Sequence, residues 1–440
     1  MSEPDINWDE VTEEATDILS RYISIDTTNP PGNEEPAVRF LEEIFRKDGI
    51  DDITFYDASD EKSKGRLNML ARLPGDGSAK PIVLLNHTDV VPVERSGWDE
   101  DPFSGLVKDG VIWGRGAVDM KGMGVIEMIA MLLIKRLGLP LKRDIVFLAV
   151  ADEEAGSEYG VEFLAREHPE VLEAEYVLNE GGWGNTQLMG IDRPSFNCAV
   201  SEKGPCWLTL STEGRPGHGS VPHHDNALER LLRALQRIRD WDRPHSVVPE
   251  LAAFFSEAHR AGYLKDEPND ASILEMAESN LLYSALTTNT ISLTTFNAGV
   301  KHNVIPAAAE ATIDCRLLPG TDAEAFIEEV RNVIDDPKVK IERALVSSTP
   351  PSPIDTELMD VIRQVTREHV EDAAVLPSVS TGFTDSRVFR NAGVTAYGFI
   401  PVLLDPSEAV TIHGHNERMS IENLRLGCQM MFEIVRRISS

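Results

Sequence analysis

Short apolar runs alternate with amphipathic segments over the first half of the chain, and this alternation predicts its secondary structure. Apolar residues recur at helical spacing in segments that predict helices at about Trp8–Tyr22, Glu35–Lys47, Met120–Leu137 and Tyr159–Glu167. Apolar runs bounded by turn residues predict strands at Asn68–Leu73, Ile82–Leu85, Ile145–Ala151 and Tyr176–Leu178. Strands that alternate with helices favour an α/β fold, in which a central mixed sheet carries helices on both faces.

The pattern changes near Ser201. Further strands are predicted at Trp207–Thr212, Thr290–Phe296, Ala308–Leu317 and Val339–Val346, and helices at about Asp225–Arg239 and Asp322–Ile334. This β-α-β-β-α-β order is typical of the ferredoxin-like α+β arrangement. A polar stretch over residues 245–284 interrupts the order. We treat it as an insertion that forms a helical cover over either the pocket or a dimer edge.

A proline-rich stretch follows the last of these strands. Residues 349–353, with the sequence TPPSP, predict a linker, after which helices and strands alternate again to the C-terminus. The sequence therefore predicts a discontinuous catalytic domain, residues 1–200 and 349–440. A second domain, residues 201–348, is inserted into it.

The composition excludes several classes of partner. The 440 residues carry a formal net charge of −31, which repels nucleic acid and anionic membranes and favours cations. The longest apolar stretch, Gly124–Ile134, contains Glu127 and is shorter than the roughly 20 residues of a membrane-spanning helix. The acidic first residues do not resemble a signal peptide, so we expect a cytoplasmic protein with neither a nucleic-acid nor a membrane partner.

The cysteines do not form a recognisable metal or redox motif. None of the pairs among Cys198, Cys206, Cys315 and Cys428 has C-x-x-C spacing. A cytoplasmic protein keeps its thiols reduced, so we expect buried free cysteines rather than disulfide bonds.

Acidic and imidazole side chains follow the predicted strands at the points where those strands end. His87 and Asp89 follow one strand, the run Asp152-Glu153-Glu154 follows another, and Glu180 lies just beyond a third. Asp119 follows a loop punctuated by glycines. Ligands of open α/β sheets bind beyond the carboxyl ends of the strands, so we expect these groups to converge on one pocket.

A mixed set of histidines and carboxylates suits zinc, cobalt or manganese, whereas an all-carboxylate set would favour magnesium or calcium. Each group alone could be a turn residue or a helix cap, and for the His-x-Asp and the acidic run this is the more usual role. The coincidence of four such groups at strand ends favours a metal site. A carboxylate two residues beyond a histidine, as Asp89 is from His87, can orient the imidazole.

Seven segments resemble the dinuclear zinc amidohydrolase/exopeptidase family, which includes aminoacylase-1, glutamate carboxypeptidase, acetylornithine deacetylase and succinyl-diaminopimelate desuccinylase. They are NHTDVVPV, WGRGAVDMKGM, ADEEAGSEYG, NEGG, STEGRPGHGS, HNVIPAAAEATIDCRLLPG and TIHGHNER. The resemblance spans nearly the whole chain in order, and GRPGHGS, TDSRVFRNAGVTAYGF and HGHNER are most similar to aminoacylase-1 and related carboxypeptidases. It implies a zinc-exopeptidase-like catalytic domain with an inserted lid and dimerisation domain.

The resemblance implies two divalent metal ions, taken as Zn²⁺ with Co²⁺ or Mn²⁺ as alternatives. The implied ligands are His87, Asp119, Glu154, Glu180 and His413. His87 and Glu180 would bind one ion, Glu154 and His413 the other, and Asp119 would bridge them. His415 competes with His413 for the last position, and the family pattern favours the first histidine of the run. The resemblance also implies a cis peptide bond between Asp119 and Met120.

The resemblance also implies which residues carry out catalysis and which bind the substrate. Glu153 would be the general base that takes a proton from a metal-bridging water and returns it to the leaving nitrogen. Asp89 would orient His87. His218 would reach the oxyanion, in dimeric members from the neighbouring subunit. Asn303 and Arg316 would meet the substrate carboxylate, with a structural salt bridge as the alternative for Arg316.

The sequence therefore predicts a homodimeric hydrolase that cleaves an amide or peptide bond next to a free carboxylate. Its substrate would be an N-acyl amino acid or a dipeptide. An alternative within this chemistry is a deacylase of amino-acid biosynthesis, of the acetylornithine deacetylase or succinyl-diaminopimelate desuccinylase type. An alternative of a different class is a non-catalytic scaffold on the same fold, although Glu153 and all the metal positions are present.

Overall fold

The computed structural model describes residues 6–440. Its α-helices are α1 Trp8–Ile23, α2 Glu35–Lys47, α3 Lys121–Leu137, α4 Val161–Glu167, α5 Ala227–Asp240, α6 Pro249–Arg260, α7 Asp270–Ser279, α8 Leu281–Thr287, α9 Ala323–Ile334, α10 Glu357–His369, α11 Ser386–Asn391, α12 Pro406–Ala409 and α13 Ile421–Ser439. Short 3-10 helices cover Arg95–Gly97, Glu153–Ala155 and Pro169–Leu172. The predicted helices are confirmed within about two residues at each end, which is the usual uncertainty of helix boundaries.

The strands divide into two main sheets and two small ones. They are β1 Ile53–Asp57, β2 Leu67–Leu73, β3 Ile82–His87, β4 Val107–Lys108, β5 Val111–Trp113, β6 Ile145–Val150, β7 Tyr176–Asn185, β8 Ser195–Glu202, β9 Gly204–Glu213, β10 Gly217–His218, β11 Thr290–Ala298, β12 Val304–Ile305, β13 Ala308–Leu317, β14 Val339–Val346, β15 Ala374–Ser380, β16 Thr395–Leu404 and β17 Arg418–Ser420. The small sheets are the ribbon β10-β12 and the three-stranded β17-β5-β4.

The large sheet has eight strands in the order β1-β2-β6-β3-β7-β16-β8-β15. Its centre is parallel, because β3 pairs in parallel with both β6 and β7, whereas β1 and β2 are antiparallel. One face packs against α1, α2, α3, α10 and α13, and the other against α4 and α11. The predicted α/β class, with a mixed sheet covered on both faces, is confirmed. The carboxyl ends of β3, β6 and β7 consequently meet at one edge.

Helix α3 forms the centre of the larger core. Its residues from Lys121 to Ile134 are all buried, which explains why its sequence is apolar on every side. The helix ends at Gly138, whose φ of 59° places it in the left-handed region that closes many helices. Asp119 lies just before this helix, after the cis peptide bond that joins it to Met120. A helix that is buried from Lys121 to Ile134 therefore fixes the backbone next to a predicted ligand.

The second main sheet has four antiparallel strands in the order β11-β13-β9-β14. Helices α5 and α9 cover one face and share an apolar cluster with it. This order is the ferredoxin-like one that the sequence predicted. All four strands lie within the inserted region, although its boundaries at residues 201 and 348, and its action as a lid, remain predictions.

The stretch 245–284 is more regular than its polar composition suggests. It contains α6 and α7 and the start of α8, and Asn269 and Asn280 cap the second and third of these helices with their side chains. Leu251 and Phe255 of α6 pack against Leu376 in the large sheet. Its helices are short and separated by caps, so no long periodic pattern marks them in the sequence.

Strand β7 extends well beyond its predicted end at Leu178. The pair Gly181-Gly182 resembles a strand break in the sequence, but the strand passes through it. Gly181 has a φ of 123°, and a Cβ at Gly182 would lie 2.4 Å from the carbonyl oxygen of Asn197. The glycines therefore permit close packing of neighbouring strands rather than a turn.

Two composition-based expectations can be compared with this fold. The four cysteines are free and buried, as predicted. Within residues 6–440, no helix has the length and apolar character that crossing a bilayer would require.

Glu127 provides a stability test of the core. This fully buried carboxyl on α3 accepts a hydrogen bond from the Asn86 amide at 3.0 Å, and burial raises its pKa well above 4.5. The folded protein then keeps a proton that the unfolded chain loses, so the contribution of Glu127 to stability falls as the pH rises above about 4.5. We expect Glu127→Gln to raise the free energy of unfolding at pH 8 by at least about 1 kcal/mol, and by much less at pH 4.5.

Urea unfolding at the two pH values measures this difference. The matched control is Glu43→Gln on α2, because Glu43 is exposed and its charge stays hydrated in the folded protein. The interpretation is wrong if Glu127→Gln lowers stability at pH 8 or if its effect is the same at both pH values.

Candidate metal centre and substrate cleft

The predicted ligands come together at the edge where the central strands end. His87 is the last residue of β3, Glu154 follows β6, and Glu180 lies in β7. Asp119 approaches from the start of α3, and His413 from the loop between α12 and β17. Elements far apart in sequence therefore supply one cluster, as expected for the carboxyl edge of a parallel sheet.

The distances show that two histidines share one carboxylate. His87 Nε2 lies 3.1 Å from Asp119 Oδ1, and His413 Nε2 lies 3.0 Å from Asp119 Oδ2. The His87 Nε2 atom is also 3.7 Å from Glu180 Oε1, while His413 Nε2 is 3.3 Å from Glu154 Oε1. Each side of Asp119 therefore has its own histidine and its own glutamate.

This donor set has the chemistry of a metal site, and two overlapping groups within it are close enough to hold an ion, one of which includes Glu153 and neither of which includes His413. Candidate ligand atoms of His87, Asp119 and Glu154 all lie within 4.8 Å of one another, and so do those of His87, Glu153 and Glu180. Imidazole nitrogens and carboxylate oxygens suit zinc, cobalt and manganese. By contrast, the exposed His415 lies 3.9 Å from Glu94, outside the cluster. The geometry agrees with the preference for His413 over His415.

Burial and crowding control the protonation of this cluster. Burial and the neighbouring Glu180 charge raise the pKa of Glu153 well above 4.5. Burial and the Asp119 charge do the same for Glu180. Although burial opposes ionisation of Asp119, hydrogen bonds with both histidines hold its pKa below the usual range. Bonds to Asp119 and Glu154 raise the pKa of His413 to about 10. The cluster thus requires positive charge, from protons or from metal ions.

Asp89 organises the site more broadly than predicted. Its Oδ1 lies 3.4 Å from His87 Nδ1, but the closer partner of that nitrogen, at 3.0 Å, is the Asp89 backbone carbonyl. The carboxylate also accepts hydrogen bonds from the backbone N–H groups of Glu153 and Glu154 and from the Asn29 amide. Asp89 therefore positions both the first histidine and the turn that carries two site glutamates.

Glu417 is a supporting residue that the sequence reasoning missed. It is fully buried and accepts hydrogen bonds from the Arg115 guanidinium at 2.6 Å and from the backbone N–H groups of Gly116, Val118 and Asp119. One carboxylate thereby fixes the loop that ends at the shared ligand. The motif HGHNER contains Glu417, but the sequence does not show that this glutamate is buried.

A second supporting network lies beneath the turn that follows β6. Arg66 Nη1 donates to Glu34 at 2.6 Å, and Arg66 Nη2 lies 3.3 Å from Asp152. Asn29 bridges Asp152 to Asp89 through its amide nitrogen. Asp152 has a φ of 68°, a strained conformation for a residue other than glycine. These contacts hold the residue that precedes the site glutamates, and no motif in the sequence points to them.

The metal cluster opens into a cleft of about 710 Å³. Glu153, only 8% exposed, lines this cleft together with Arg316. The Arg316 guanidinium pairs with Asp314 at 2.8 Å and lies over the rings of Phe383 and Trp207, at 4.9 and 5.6 Å from their centroids. Arg316 therefore forms the salt bridge and also lines the cleft, and its contact with a substrate carboxylate stays a prediction.

His218 and Asn303 lie away from this cleft. Both are exposed, at the ribbon formed by β10 and β12, where the Gly219 N–H donates to the Asn303 carbonyl at 2.9 Å. His218 Nδ1 contacts the Ser220 hydroxyl at 2.7 Å. Neither His218 nor Asn303 lines the cleft of its own chain. Their predicted roles therefore depend on a second subunit or on a movement of this ribbon.

The fold and the site define a hydrolytic enzyme of the metallopeptidase and amidohydrolase kind. Residues 83–437 match the family described as Peptidase family M20/M25/M40. The chain belongs to this family, and the resemblance found in the sequence motifs is confirmed.

Individual proteins show how far the similarity extends. Human N-fatty-acyl-amino acid synthase/hydrolase PM20D1 is 30% identical over 377 residues, which cover 82% of this chain and 74% of the human protein. Aminoacylase-1 of Sus scrofa is 28% identical over 435 residues, covering 96% and 95%. The M20 family metallo-carboxypeptidase Sso-CP2 of Sulfolobus solfataricus has a TM-score of 0.76 at 18% identity, covering 97% and 98%, and therefore shows the shared fold.

Glu417 supplies a test of the supporting layer. In Glu417→Gln the side chain keeps its shape, but it loses the charge that holds Arg115 and three backbone N–H groups. We expect the affinity for zinc to fall by about 10–100-fold, the usual effect of losing an outer hydrogen-bond partner of a metal site. Isothermal titration of the metal-free protein measures the change.

Glu422→Gln is the matched control, because Glu422 is exposed in the first turn of α13. It should bind zinc as the unchanged protein does. Equal affinities for the two variants would show that Glu417 does not position Asp119.

Proposed function

We propose that the protein is a dinuclear metal-dependent hydrolase that cleaves an amide or peptide bond next to a free carboxylate. The substrate is an N-acyl amino acid or a dipeptide. The observation that carries this proposal is that His87 and His413 contact the two oxygens of the same carboxylate, Asp119. Glu153 lines the cleft together with Asp119 and His413. Most of the proposed metal ligands, the proton carrier Glu153 and the Arg316 guanidinium that would bind the substrate carboxylate then line the same cleft.

In this proposal His87 and Glu180 hold one ion, Glu154 and His413 hold the other, and Asp119 contacts both. Two divalent cations, taken as Zn²⁺, would polarise the amide carbonyl and lower the pKa of a bound water, so that hydroxide is available for the attack. The contacts of Asp119 support this division, because each of its oxygens faces a different histidine.

Glu153 is proposed to move the proton. It is buried, it lines the cleft, and its pKa is raised by burial and by the Glu180 charge. A carboxylate whose pKa is raised holds a proton more strongly, which suits a group that takes a proton from water and returns it to the leaving nitrogen. Asp89 holds the Glu153 backbone N–H, which supports a fixed orientation for this transfer.

Arg316 is proposed to bind the carboxylate of the substrate. It contributes a guanidinium to the cleft lining, and two aromatic rings and Asp314 limit its movement. Arg316 is also the one Lys or Arg side chain among the described residues of that lining. A substrate with a second carboxylate, such as an N-succinyl compound, would have no further guanidinium or ammonium partner there. This favours an acylase or peptidase over a desuccinylase.

We further propose that residues 201–348 form a lid and dimerisation domain through which two subunits associate. His218 and Asn303 are exposed at the ribbon next to the four-stranded sheet, and β11 is an edge strand of that sheet with Leu293 and Phe296 exposed. An apolar edge strand readily pairs with a second chain. In the dimer, His218 of one subunit would donate to the oxyanion in the cleft of the other.

The buried free cysteines support a cytoplasmic location, where thiols stay reduced. The non-catalytic alternative keeps the fold but requires no proton carrier. The complete set of ligands and the position of Glu153 argue against it.

Glu153→Gln separates the hydrolase from a scaffold. Gln keeps the shape of the side chain but cannot carry the proton, so we expect kcat to fall by about 10²–10⁴-fold. Hydrolysis of N-acetyl amino acids and dipeptides, with zinc, cobalt or manganese added, measures the rate. Metal analysis should still find two ions per chain, because Glu153 is not among the proposed ligands. Unchanged turnover would contradict the role of Glu153, and the absence of any turnover in the unchanged, metal-loaded enzyme would favour the scaffold.

The shared active site can be tested with heterodimers of two differently tagged chains. One chain carries His218→Ala and the other Glu153→Gln. If His218 acts across the interface, one cleft of each heterodimer keeps both residues, and the purified heterodimer should have about half of the unchanged activity.

The matched control places both substitutions in one chain and pairs it with an unchanged chain. With His218 acting across the interface, both clefts of this control lack a residue, so it should be nearly inactive. The reverse result, an active control and an inactive first heterodimer, would show that each chain uses its own His218. A fully active monomer would contradict the dimer.

A further inference from the structure

The turn that carries Glu153 and Glu154 has left-handed backbone at both of its ends. Asp152 has a φ of 68° at the start, and Gly156 and Ser157 have φ values of 110° and 70° at the end. This conformation costs free energy for residues other than glycine, so the turn keeps its shape only where other contacts hold it. The network beneath the turn holds its start at Asp152. A different part of the chain holds its end.

Two charged side chains contact the end of the turn. The Ser157 hydroxyl donates a hydrogen bond to Asp385 Oδ1 at 2.5 Å, and Arg387 Nη2 donates to the Gly156 carbonyl at 3.1 Å. Arg387 also lies 3.0 Å from the Glu162 carboxylate. Ser157, Asp385 and Arg387 are all at most 1% exposed, so water cannot replace a lost partner. We call Asp385 and Arg387 the clasp.

The clasp belongs to an element that is fixed to the large sheet. Both of its residues lie at the start of α11, whose residues 386–390 are buried. Val388 and Phe389 of this helix pack in one apolar cluster with residues of β3 and β6. His87 ends β3, and the turn with the two site glutamates follows β6. The clasp therefore holds the turn against the same sheet that carries the candidate ligands.

The Asp385 carboxylate has no other hydrogen-bonding task within residues 6–440. Its Oδ2 atom is buried without a hydrogen-bond partner, and Ser157 is the one residue that donates to its Oδ1 atom. Neither Asp385 nor Ser157 lines the cleft. A buried carboxylate with a single donor is costly, and an apolar side chain would fill the same position at a lower cost. The contact with Ser157 is thus the feature that a carboxylate at this position supplies.

We propose that Asp385 is a positioning residue, which acts through Ser157 to hold the turn so that Glu153 keeps the orientation needed for proton transfer. This inference rests on the proposed hydrolase activity. Asp89 binds the backbone N–H groups at the start of the turn, and the clasp binds its end. With both ends held, the Glu153 side chain starts from a fixed backbone. Proton transfer requires such a fixed geometry, because small displacements of a reacting group slow a reaction strongly.

The first test removes only the Ser157 hydroxyl. We expect Ser157→Ala to lower kcat for an N-acetyl amino acid or a dipeptide by about 10–100-fold, the scale for a misplaced catalytic group. KM should change far less, because Ser157 does not line the cleft. Metal analysis should still find two ions per chain, since all the proposed ligands except Glu154 lie outside the turn.

Ser352→Ala is the matched control. Ser352 is 5% exposed, and its hydroxyl donates to the Ala396 carbonyl at 2.9 Å, so this variant also loses a buried hydrogen bond. Its contact joins the proline-rich stretch to β16 and does not involve the turn. A purely structural loss would affect both variants alike. Equal kcat values for Ser157→Ala and Ser352→Ala would therefore overturn the inference.

The second test changes the other partner of the hydrogen bond. Asp385→Ala should lower kcat as Ser157→Ala does, and the double variant should be no slower than the slower single variant, because both changes remove one contact. Asp385→Asn keeps a carbonyl oxygen for Ser157 and should restore most of the lost kcat. Independent, multiplying effects would contradict the inference. So would an Asp385→Asn variant as slow as Asp385→Ala.

Amide hydrogen exchange separates the inference from the proposed activity. The N–H groups of Gly156 and Ser157 donate to the carbonyls of Glu153 and Asp152, so their exchange reports whether the turn keeps its shape. In the zinc-loaded protein we expect exchange at least about tenfold faster in Ser157→Ala than in Ser352→Ala. Equal exchange would overturn the positioning role whatever the activity. Faster exchange in Ser157→Ala, with no turnover by the unchanged enzyme, would count against the proposed hydrolase alone.

Discussion

The mutual repulsion of buried carboxylates is the constraint on which this structure depends. Asp119, Glu153, Glu154 and Glu180 crowd around two imidazoles at one edge of the large sheet. Burial makes their charges costly, and their proximity adds to the cost. Such a cluster is stable only if cations or protons balance it. Buried hydrogen bonds hold the backbone that carries these carboxylates: Asp89 accepts from the N–H groups of Glu153 and Glu154, and Glu417 accepts from those of Val118 and Asp119.

The burial of this carboxylate cluster also determines how the elements around the cleft are arranged. The candidate ligands are largely buried and open into one cleft, which is bordered by the four-stranded sheet and by the helices of 249–287. The large sheet carries most of the candidate ligands, and the four-stranded sheet carries Arg316, which lines the same cleft.

Much of the candidate site could be predicted because its residues follow predicted strands or, in the case of Asp119, a glycine-punctuated loop, and belong to recognisable motifs. His87, Asp119 and Glu180 were found in this way, and the structure brings them together. Glu417 was missed because its role depends on backbone N–H groups of a loop distant in sequence. Residues 245–284 were expected to form a helical cover, but the bounds of the three helices within 249–287 could not be predicted, because each helix is short and two of them are capped by local side chains. The exposed position of His218 could not be predicted either, since a motif does not show which subunit a residue serves.

The central claim is that this cluster holds two metal ions which share Asp119. A crystal structure of the zinc-loaded enzyme, with anomalous data collected on both sides of the zinc absorption edge, tests it directly. The account predicts two zinc peaks about 3.5–4 Å apart, one beside His87 and Glu180 and the other beside Glu154 and His413. A single peak, or two peaks that are not bridged by Asp119, would contradict it.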